Sequence, residues 1–325
     1  QRLEMKQKVS LRRVVWVSSA LMGVLAVGLT LFFNISSNEK SYAAVTGEYR
    51  TKASGNWNST ATWQKYNGSS WVSATATPTS ADAIITILSG HTVTVTANVT
   101  ADQIVVNSGG TLVQNSGVTL TLNNGTGTDL DVSGTFKNAG TVTINASATI
   151  AFKSGGVYQH NFTSSAGVIP TATWNSGSTC EVIGYTTYNN SLAGMQTFSN
   201  FTWNCPLQTN WVDLNGALTS ITGDFTIKST GLTGGLRLAR NGASTLSVGG
   251  DFTLTSGNFS LSDGSNITST MNVAGDFTHT AGTFSIVDGS NSTGNVNLSA
   301  NFTHTAGTIT VSGNSTTSAV ISFAK

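Results

Sequence analysis

The sequence predicts an all-β fold: a right-handed parallel β-helix (β-solenoid) with coils of about 25 residues and three strands, preceded by an N-terminal signal or transmembrane helix. Three observations predict it. Only 9% of the residues are charged, against about 25% in a typical soluble domain, and Ser, Thr, Asn and Gly take their place. The tetrapeptide Gly-Asp-Phe-Thr recurs at intervals close to 25 residues. Between its copies, apolar and polar residues alternate as they do in half-buried strands.

This composition excludes several classes of protein. Helical bundles need Glu, Lys, Leu and Ala at a period of about 3.6 residues, and that pattern is scarce here. Disordered chains combine high net charge with few β-forming residues, whereas this chain has a net charge of +1 and frequent Val, Ile, Thr and Phe. A polytopic membrane protein needs several apolar spans, and the sequence contains a single one.

Residues 1–44 have the order of a secretory signal. A basic run is followed by the apolar stretch Val14–Phe33 and by small residues at Ser41–Ala44, where cleavage is expected. Met5 is the predicted start. Because the apolar stretch has 20 residues, enough to span a bilayer, a retained N-terminal anchor is the alternative. In either case this segment is expected to engage a membrane during export, and the rest is expected to be secreted or held at the cell surface.

Residues 45–82 are irregular and rich in aromatic side chains, and we expect them to form an N-terminal cap. The aromatic side chains concerned are Trp57, Trp63, Tyr66 and Trp71. The first coil of a solenoid exposes a strand edge and an open core, and aromatic rings cover both. The alternative is a carbohydrate-binding site, because aromatic faces stack on sugar rings and Trp and Tyr add a polar group.

Residues 83–222 are rich in strands at loose spacing, which predicts irregular coils. The predicted strands are Thr92–Thr96, Gln103–Val106, Thr111–Val113, Val118–Leu122, Leu130–Val132, Thr141–Ile144 and Thr149–Phe152. Cys180 and Cys205 also lie in this segment. A disulfide between them suits an exported protein, and two buried free thiols are the alternative. Two Cys residues without a His cluster do not predict a zinc site.

Residues 223–325 form the strictly periodic segment. One coil is predicted to contain three strands, at Phe277–Thr280, Thr283–Val287 and Asn295–Ser299. A single coil cannot bury its own apolar face, so successive coils must stack on one another. Phe252, Phe277 and Phe302 are therefore expected to form one file, in a solenoid of about ten or eleven coils.

Polar residues repeat at the corners of these coils. The weak candidates for a calcium site are Asp263, Asn266, Asp288 and Asn291. They stack in pairs, and carboxylate and amide oxygens are calcium ligands; the alternative is an Asx turn at each corner. Asp224, Asp251 and Asp276 each follow the glycine of a repeat, and for them we expect a role in a turn.

Two further sets of residues bear on function. His279 and His304 are expected to stack and to project outward on strand faces rather than to bind a metal. Arg237 and Arg240 project near one another, but 237–247 contains no acid, so a polysaccharide lyase or hydrolase would need carboxylates from adjacent coils. The sequence lacks the motifs of serine hydrolases, zinc proteases and phosphate-binding loops, and we expect no enzymatic activity and no cofactor.

Several stretches resemble large secreted surface proteins of the Bacteroidota, which are commonly exported by the type IX route and are β-helical. The stretches are Gly55–Trp63, Asp82–Ile85, Gly90–Val95, Gly110–Leu112 and Thr197–Asn204. The Gly-Asp-Phe-Thr coils resemble the repeated coils of the same proteins. The resemblance implies an exported, adhesin-like β-helix. The C-terminal sorting domain of that group has no counterpart here, and because the last repeat is incomplete we expect the native chain to continue beyond Lys325.

The sequence therefore predicts a non-enzymatic structural or adhesive protein of the cell surface. The first alternative is a carbohydrate-binding module of a larger secreted protein, and a lesser one is a polysaccharide lyase or hydrolase. Polysaccharides or other cell-surface ligands are the expected partners. No basic patch remains outside 1–44, which argues against a nucleic-acid partner.

Overall fold

The chain folds into a parallel β-solenoid, as the sequence predicts. The computed structural model describes residues 43–187, 189, 191–312 and 316–324. The predicted signal or anchor lies outside the described residues, except for its last two positions. Within the described part of the chain, the only helix is the 3-10 turn Thr60–Thr62, and no helix there has the length and hydropathy of a membrane span.

The strands fall into three groups along the chain. The first group is β1 (Tyr49–Thr51), β2 (Gly55–Asn56), β3 (Trp63–Tyr66) and β4 (Trp71–Ser73). The second group is β5 (Ile85–Ile87), β6 (Thr92–Val95), β7 (Val99–Ala101), β8 (Ile104–Val106), β9 (Thr111–Gln114), β10 (Thr119–Leu122), β11 (Leu130–Val132), β12 (Thr135–Asn138), β13 (Thr141–Ile144), β14 (Ile150–Phe152), β15 (Val157–His160), β16 (Thr173–Trp174) and β17 (Thr179–Val182). The third group is β18 (Asn200–Asn204), β19 (Trp211–Asp213), β20 (Ser220–Ile221), β21 (Phe225–Ser229), β22 (Gly235–Ala239), β23 (Ser244–Val248), β24 (Phe252–Leu254), β25 (Asn258–Ser262), β26 (Thr268–Val273), β27 (Phe277–His279), β28 (Thr283–Val287), β29 (Thr293–Leu298), β30 (Phe302–His304), β31 (Thr308–Val311) and β32 (Ser318–Phe323).

These strands form five sheets, of which one runs the length of the solenoid. Sheet I has the order β2-β6-β9-β12-β15-β17-β18-β21-β24-β27-β30. In the first coils it is accompanied by sheet II, β16-β14-β11-β8-β5-β1-β3-β4, and by sheet III, β13-β10-β7. In the later coils sheet IV, β19-β22-β25-β28-β31, and sheet V, β20-β23-β26-β29-β32, replace them. Sheet IV begins with β19, at Trp211–Asp213. The sheets therefore change before residues 222/223, where the repeat predicted the boundary between irregular and regular coils.

One file of inward side chains on sheet I connects the coils. Its members are Val93, Leu112, Phe136, Tyr158, Cys180, Phe201, Phe225, Phe252, Phe277 and Phe302. The predicted file of three Phe residues is confirmed, because the ring of Phe277 lies 4.8 Å from that of Phe252 and 5.2 Å from that of Phe302. Nine steps join the ten members, so the solenoid makes about nine turns; ten or eleven coils were expected because the cap residues 45–82 were counted as coils.

The strands predicted from alternation are confirmed. All seven strands predicted in the irregular segment are present, and the three strands of one periodic coil match β27, β28 and β29 to within two residues. Nine strands of the irregular segment were not predicted: β5, β7, β12 and β15 to β20. They are only two to five residues long, and in β12 a Lys and an Asn interrupt the apolar pattern.

The Asp residue of each Gly-Asp-Phe-Thr repeat binds the backbone of the next coil. The N–H of Asp251 donates to Oδ1 of Asp224 at 2.9 Å, and the N–H of Asp276 donates to Oδ1 of Asp251 at 2.7 Å. The series starts at Asn200, whose Oδ1 accepts the N–H of Asp224 at 2.9 Å. It extends to Asn301, whose N–H donates to Asp276 at 3.1 Å. A role in a turn was expected for these Asp residues, and the structure shows that each side chain bonds to the backbone of the next coil.

Glycine is required beside this series because the coils approach closely. A Cβ atom at Gly250 would overlap Oδ1 of Asp224. At the next corner Gly282 has a φ of +82°, a conformation that residues with a Cβ atom rarely adopt. A Cβ atom there would also overlap the carbonyl oxygen of Gly257. The glycines of the repeat therefore set how tightly one coil lies on the one before it.

We expect Asp251→Ala to lower the free energy of unfolding by about 1 kcal/mol, the usual net contribution of one hydrogen bond. Asp251→Asn is the matched control, because Asn200 already supplies an amide oxygen at the equivalent position. Equilibrium urea unfolding of the two variants measures the difference. An equal loss of stability in both variants would contradict the proposed role of the side-chain oxygen.

Candidate functional site

The N-terminal cap is an antiparallel extension of sheet II. Strand β1 pairs in parallel with β5 and antiparallel with β3, and β3 pairs with β4, so the sheet ends at β4. Trp57 and Trp63 are 2% and 0% exposed. Their indole N–H groups donate to the carbonyl oxygens of Pro78 and Trp57, at 3.1 and 2.8 Å. Neither ring has a face that a ligand could reach, so Trp57 and Trp63 are no longer candidates for carbohydrate binding.

Tyr66 and Trp71 are the two aromatic candidates that remain accessible. They lie directly opposite each other on β3 and β4, both are half-buried, and their ring centroids are 5.3 Å apart. The guanidinium carbon of Arg50 lies 4.3 Å from the Trp71 ring centroid, and its Nε donates to Oε1 of Gln64 at 3.1 Å. A cleft of about 430 Å³ adjoins Tyr66. The cap thus places an aromatic pair and a cation on three adjacent strands, β1, β3 and β4, with a cleft beside Tyr66.

Cys180 and Cys205 are both buried free thiols, and no disulfide joins them. Cys180 pairs with Phe201, so Cys205 lies four residues further along the neighbouring strand, a distance of about 13 Å. A disulfide needs Cα atoms within roughly 4.4–6.8 Å of each other. Burial raises the pKa of Cys205 to about 12 and that of Cys180 well above its usual value. The structure therefore matches the second alternative, two inert thiols in the core.

A buried polar network surrounds His160, which the sequence analysis did not single out. Nε2 of His160 lies 2.6 Å from the carbonyl oxygen of Ala166, and Nδ1 lies 3.1 Å from the hydroxyl of Tyr158. Because a carbonyl oxygen only accepts, Nε2 carries the hydrogen and Nδ1 accepts one from Tyr158. Asn138 in turn donates to the Tyr158 hydroxyl at 3.2 Å. Burial lowers the pKa of His160 to about 4, so the ring is neutral at pH 7.

The acidic calcium candidates have other partners. Asp263 forms an ion pair with Arg237. Oδ1 of Asp288 accepts the hydroxyl groups of Ser285 and Ser312, at 2.6 and 2.7 Å. Among the residues that the structure describes, no three His, Cys, Asp or Glu side chains lie close enough together to hold a metal ion. These contacts favour the corner-turn interpretation over calcium.

The amide candidates also serve the corners. Asn266 and Asn291 have φ values of +59° and +57°, a left-handed conformation that Asn tolerates better than most residues. Nδ2 of Asn291 donates to Oδ1 of Asn266 at 3.2 Å. The two side chains therefore bond successive corners to each other, a contact between coils rather than the local side-chain-to-backbone bond of an Asx turn.

Arg237 draws carboxylates of neighbouring coils together. Its Nη1 lies 3.4 Å from Oδ1 of Asp213, its Nε pairs with Asp263, and its guanidinium carbon lies 4.6 Å from the Trp211 ring centroid. Arg240 reaches the other oxygen of Asp213 at 3.8 Å. The carboxylates that a lyase or hydrolase would need are thus near Arg237, but both form ion pairs with it. The cluster ties three coils together electrostatically.

His279 points into the core, contrary to the expectation that it projects outward. It is fully buried on β27, whereas His304 is exposed. Side chains alternate along a strand, so with Phe277 inside and Thr278 outside, His279 must lie inside. The Nδ1 atoms of the two His residues are 3.0 Å apart, and Nε2 of His279 lies 3.0 Å from the carbonyl oxygen of Ala281.

A groove of about 480 Å³ runs over the outer side of sheet V and across four coils. Its lining includes Ser220, Ser247, Asn272 and Asn297, which pair in register from coil to coil. Nδ2 of Asn297 donates to Oδ1 of Asn272 at 2.8 Å. The groove therefore offers hydroxyl and amide groups that repeat at the spacing of the strands, about 4.8 Å.

Comparison with known proteins provides no relative on which a function could be based. No protein family matches the chain, and no curated protein or solved structure is detectably similar to it. The candidate sites are therefore the accessible aromatic pair of the cap, the Arg237 cluster, the His pair and the groove on sheet V.

We expect acid to destabilise the protein through His160. Its pKa is about 4 in the folded chain and about 6.5 when unfolded, so below pH 6.5 the unfolded chain binds the proton more readily. Stability is then lost as pH falls from about 6.5 to 4, by up to about 3 kcal/mol. Urea unfolding at several pH values measures the loss. His160→Asn, which cannot titrate, should flatten the profile, and an unchanged slope would contradict the assignment.

Proposed function

We propose that the protein is an exported structural or adhesive component of the cell surface, without catalytic activity of its own. The fold is consistent with such a role, since a solenoid of stacked coils is a repetitive scaffold with long, regular outer faces. The observation that carries the proposal is the composition of those faces. They repeat neutral hydrogen-bonding groups from coil to coil, and their charged groups are few.

The outer file of sheet I illustrates this composition. Next to the inward Phe residues lies a file of Thr side chains in direct register. Its accessible members are Thr226, Thr253, Thr278 and Thr303, and Thr202 continues the file but is buried. The groove on sheet V adds a second file of Ser and Asn. Files of this kind suit many weak contacts with a polymer or a second surface, and such contacts reinforce one another when they act together.

The inner contacts support a rigid element. Parallel ladders connect every coil of sheet I to the next, and the Asp and Asn side chains bond successive corners. The two thiols are buried and unpaired, so the described coils keep their shape without a disulfide. A surface protein gains from such a scaffold because its binding groups stay in fixed relative positions.

We expect the full chain, produced in a bacterial host with its own N-terminal segment, to be outside the cytoplasm. Protease added to intact cells should then degrade it, or the medium should contain it. A variant lacking 1–44 should stay inside the cells, and a cytoplasmic protein should remain intact as the control for lysis. Full-length protein that stays protected in intact cells and absent from the medium would overturn the proposed location.

A carbohydrate-binding role is the second candidate, favoured by one observation. Tyr66 and Trp71 are half-buried aromatic rings on an outer hairpin, and no core packing accounts for their place there. Aromatic faces bind the C–H groups of a sugar ring. Arg50, which lies against Trp71, adds a donor for sugar hydroxyl or carboxylate groups. This surface is narrower than the one first predicted, because Trp57 and Trp63 belong to the core.

We expect Trp71→Ala to weaken binding to any glycan that an array of polysaccharides identifies, by roughly tenfold, or about 1.4 kcal/mol. Leu232→Ala is the control, because Leu232 is an exposed apolar side chain of a later coil and does not line the cleft beside Tyr66. Urea unfolding should show that both variants keep the stability of the parent chain. Equal binding by both variants, or no glycan bound by the parent chain, would contradict this role.

A further inference from the structure

We propose that His279 and His304 form a chelating site for a divalent transition metal of the Cu²⁺ and Ni²⁺ type, with water completing the coordination. The site lies at the end of strands β27 and β30, where two imidazole rings from successive coils meet. It does not depend on the proposed surface role of the protein. The argument rests on which ring atoms face each other, on their distance and on their access to solvent.

The hydrogen bonds fix which ring atoms are free to bind. Nε2 of His279 lies 3.0 Å from the carbonyl oxygen of Ala281 and must donate to it, so Nδ1 of the neutral ring carries a lone pair. That Nδ1 lies 3.0 Å from Nδ1 of His304, which therefore supplies the hydrogen between them. When His304 carries its hydrogen on Nε2 instead, which is its other tautomer, both facing Nδ1 atoms present a lone pair and a metal ion gains two nitrogen ligands. His279 keeps its bond to the backbone.

The distance between the two nitrogens suits a particular geometry. With metal–nitrogen bonds of about 2.0–2.1 Å, a separation of 3.0 Å gives an angle at the metal of about 94°. A tetrahedral site would need nitrogens about 3.3 Å apart with the same bond lengths. An angle near 90° is typical of the square-planar or tetragonal sites of Cu²⁺ and Ni²⁺. Neutral imidazole is a good ligand for both ions.

The surroundings keep one ligand fixed and the other accessible. His279 is fully buried, and burial lowers its pKa, which keeps its ring unprotonated at neutral pH. His304 is exposed, so its ring can turn toward an ion and leaves the outer coordination positions open to water. Because both residues sit on hydrogen-bonded strands, little backbone freedom is lost when they bind together.

The tandem repeat explains how the pair arises. Phe-Thr-His-Thr-Ala-Gly-Thr occurs twice, beginning at Phe277 and at Phe302, and strands β27 and β30 pair His279 directly with His304. In the coil before, Leu254 occupies the same position in the file. The pair is thus confined to two coils, and leucine is a side chain that this position already accommodates.

The test is an isothermal calorimetric titration of the tag-free full chain with CuCl₂ and, separately, with NiCl₂. We expect one equivalent to bind to the parent chain, and at least a tenfold weaker affinity in His279→Leu and in His304→Ala. Cu²⁺ electron paramagnetic resonance should show nitrogen coordination in the parent chain that both variants lose. His91→Ala is the control, because His91 lies elsewhere and bonds to Thr51.

We expect both variants to fold. In His279→Leu the new side chain is the one that the preceding coil has at the equivalent position, Leu254, and in His304→Ala the replaced side chain is exposed. Circular dichroism and urea unfolding check this directly, and His304→Ala decides alone if the core variant is unstable. The proposal is overturned if the parent chain binds these ions no more tightly than the two variants. The proposal is also overturned if His91→Ala loses as much metal affinity as the other two variants, because metal binding would then not depend on His279 and His304.

Discussion

The register between successive coils is the constraint on which the rest of the structure depends. A strand that slips by one residue turns its whole apolar set toward solvent, so the file from Val93 to Phe302 exists only if each coil lies at one fixed position on the last. Backbone ladders alone do not select that position. The corners do, through the bonds from Asp224 to Asp251 and from Asn266 to Asn291, and through glycines that leave no room for any other spacing.

The cap solves a different problem with the same backbone geometry. The first coil presents an unpaired edge, a site where strands of other chains can add. Strands β3 and β4 reverse direction and cover the edge of sheet II, while Trp57 and Trp63 close the end of the core. Aromatic content alone therefore did not identify a binding site. Two rings serve the core, and only the pair beyond them, Tyr66 and Trp71, is accessible.

The period and the alternation of side chains were enough to predict the solenoid, its inner Phe file and the bounds of ten strands to within two residues. The sequence-based predictions were wrong or incomplete where a contact depends on which residues of neighbouring coils lie against each other. His279 was expected outside, although counting in twos from Phe277 places it inside. Cys180 and Cys205 are 25 residues apart in sequence, about one coil length, so the spacing alone suggests that they lie side by side on neighbouring strands. Only the register shows that the two residues lie about four positions apart along them. The partners of Asp263 likewise depend on which coils adjoin Arg237.

Exact repetition of a sequence has a consequence in this fold that it lacks in a globular domain. Every residue of a coil is placed directly against its copy, so a repeated side chain becomes a file of like groups. For Phe and Thr the file builds a core and a neutral surface, and for Asp it persists because each carboxylate accepts a backbone N–H. The two His rings have no comparable backbone partner for their facing nitrogens, which lie 3.0 Å apart and share one hydrogen instead. When one coil is duplicated, a ligating side chain next to solvent is placed against its own copy. A solenoid can therefore acquire a binding site in this way without any change to its scaffold.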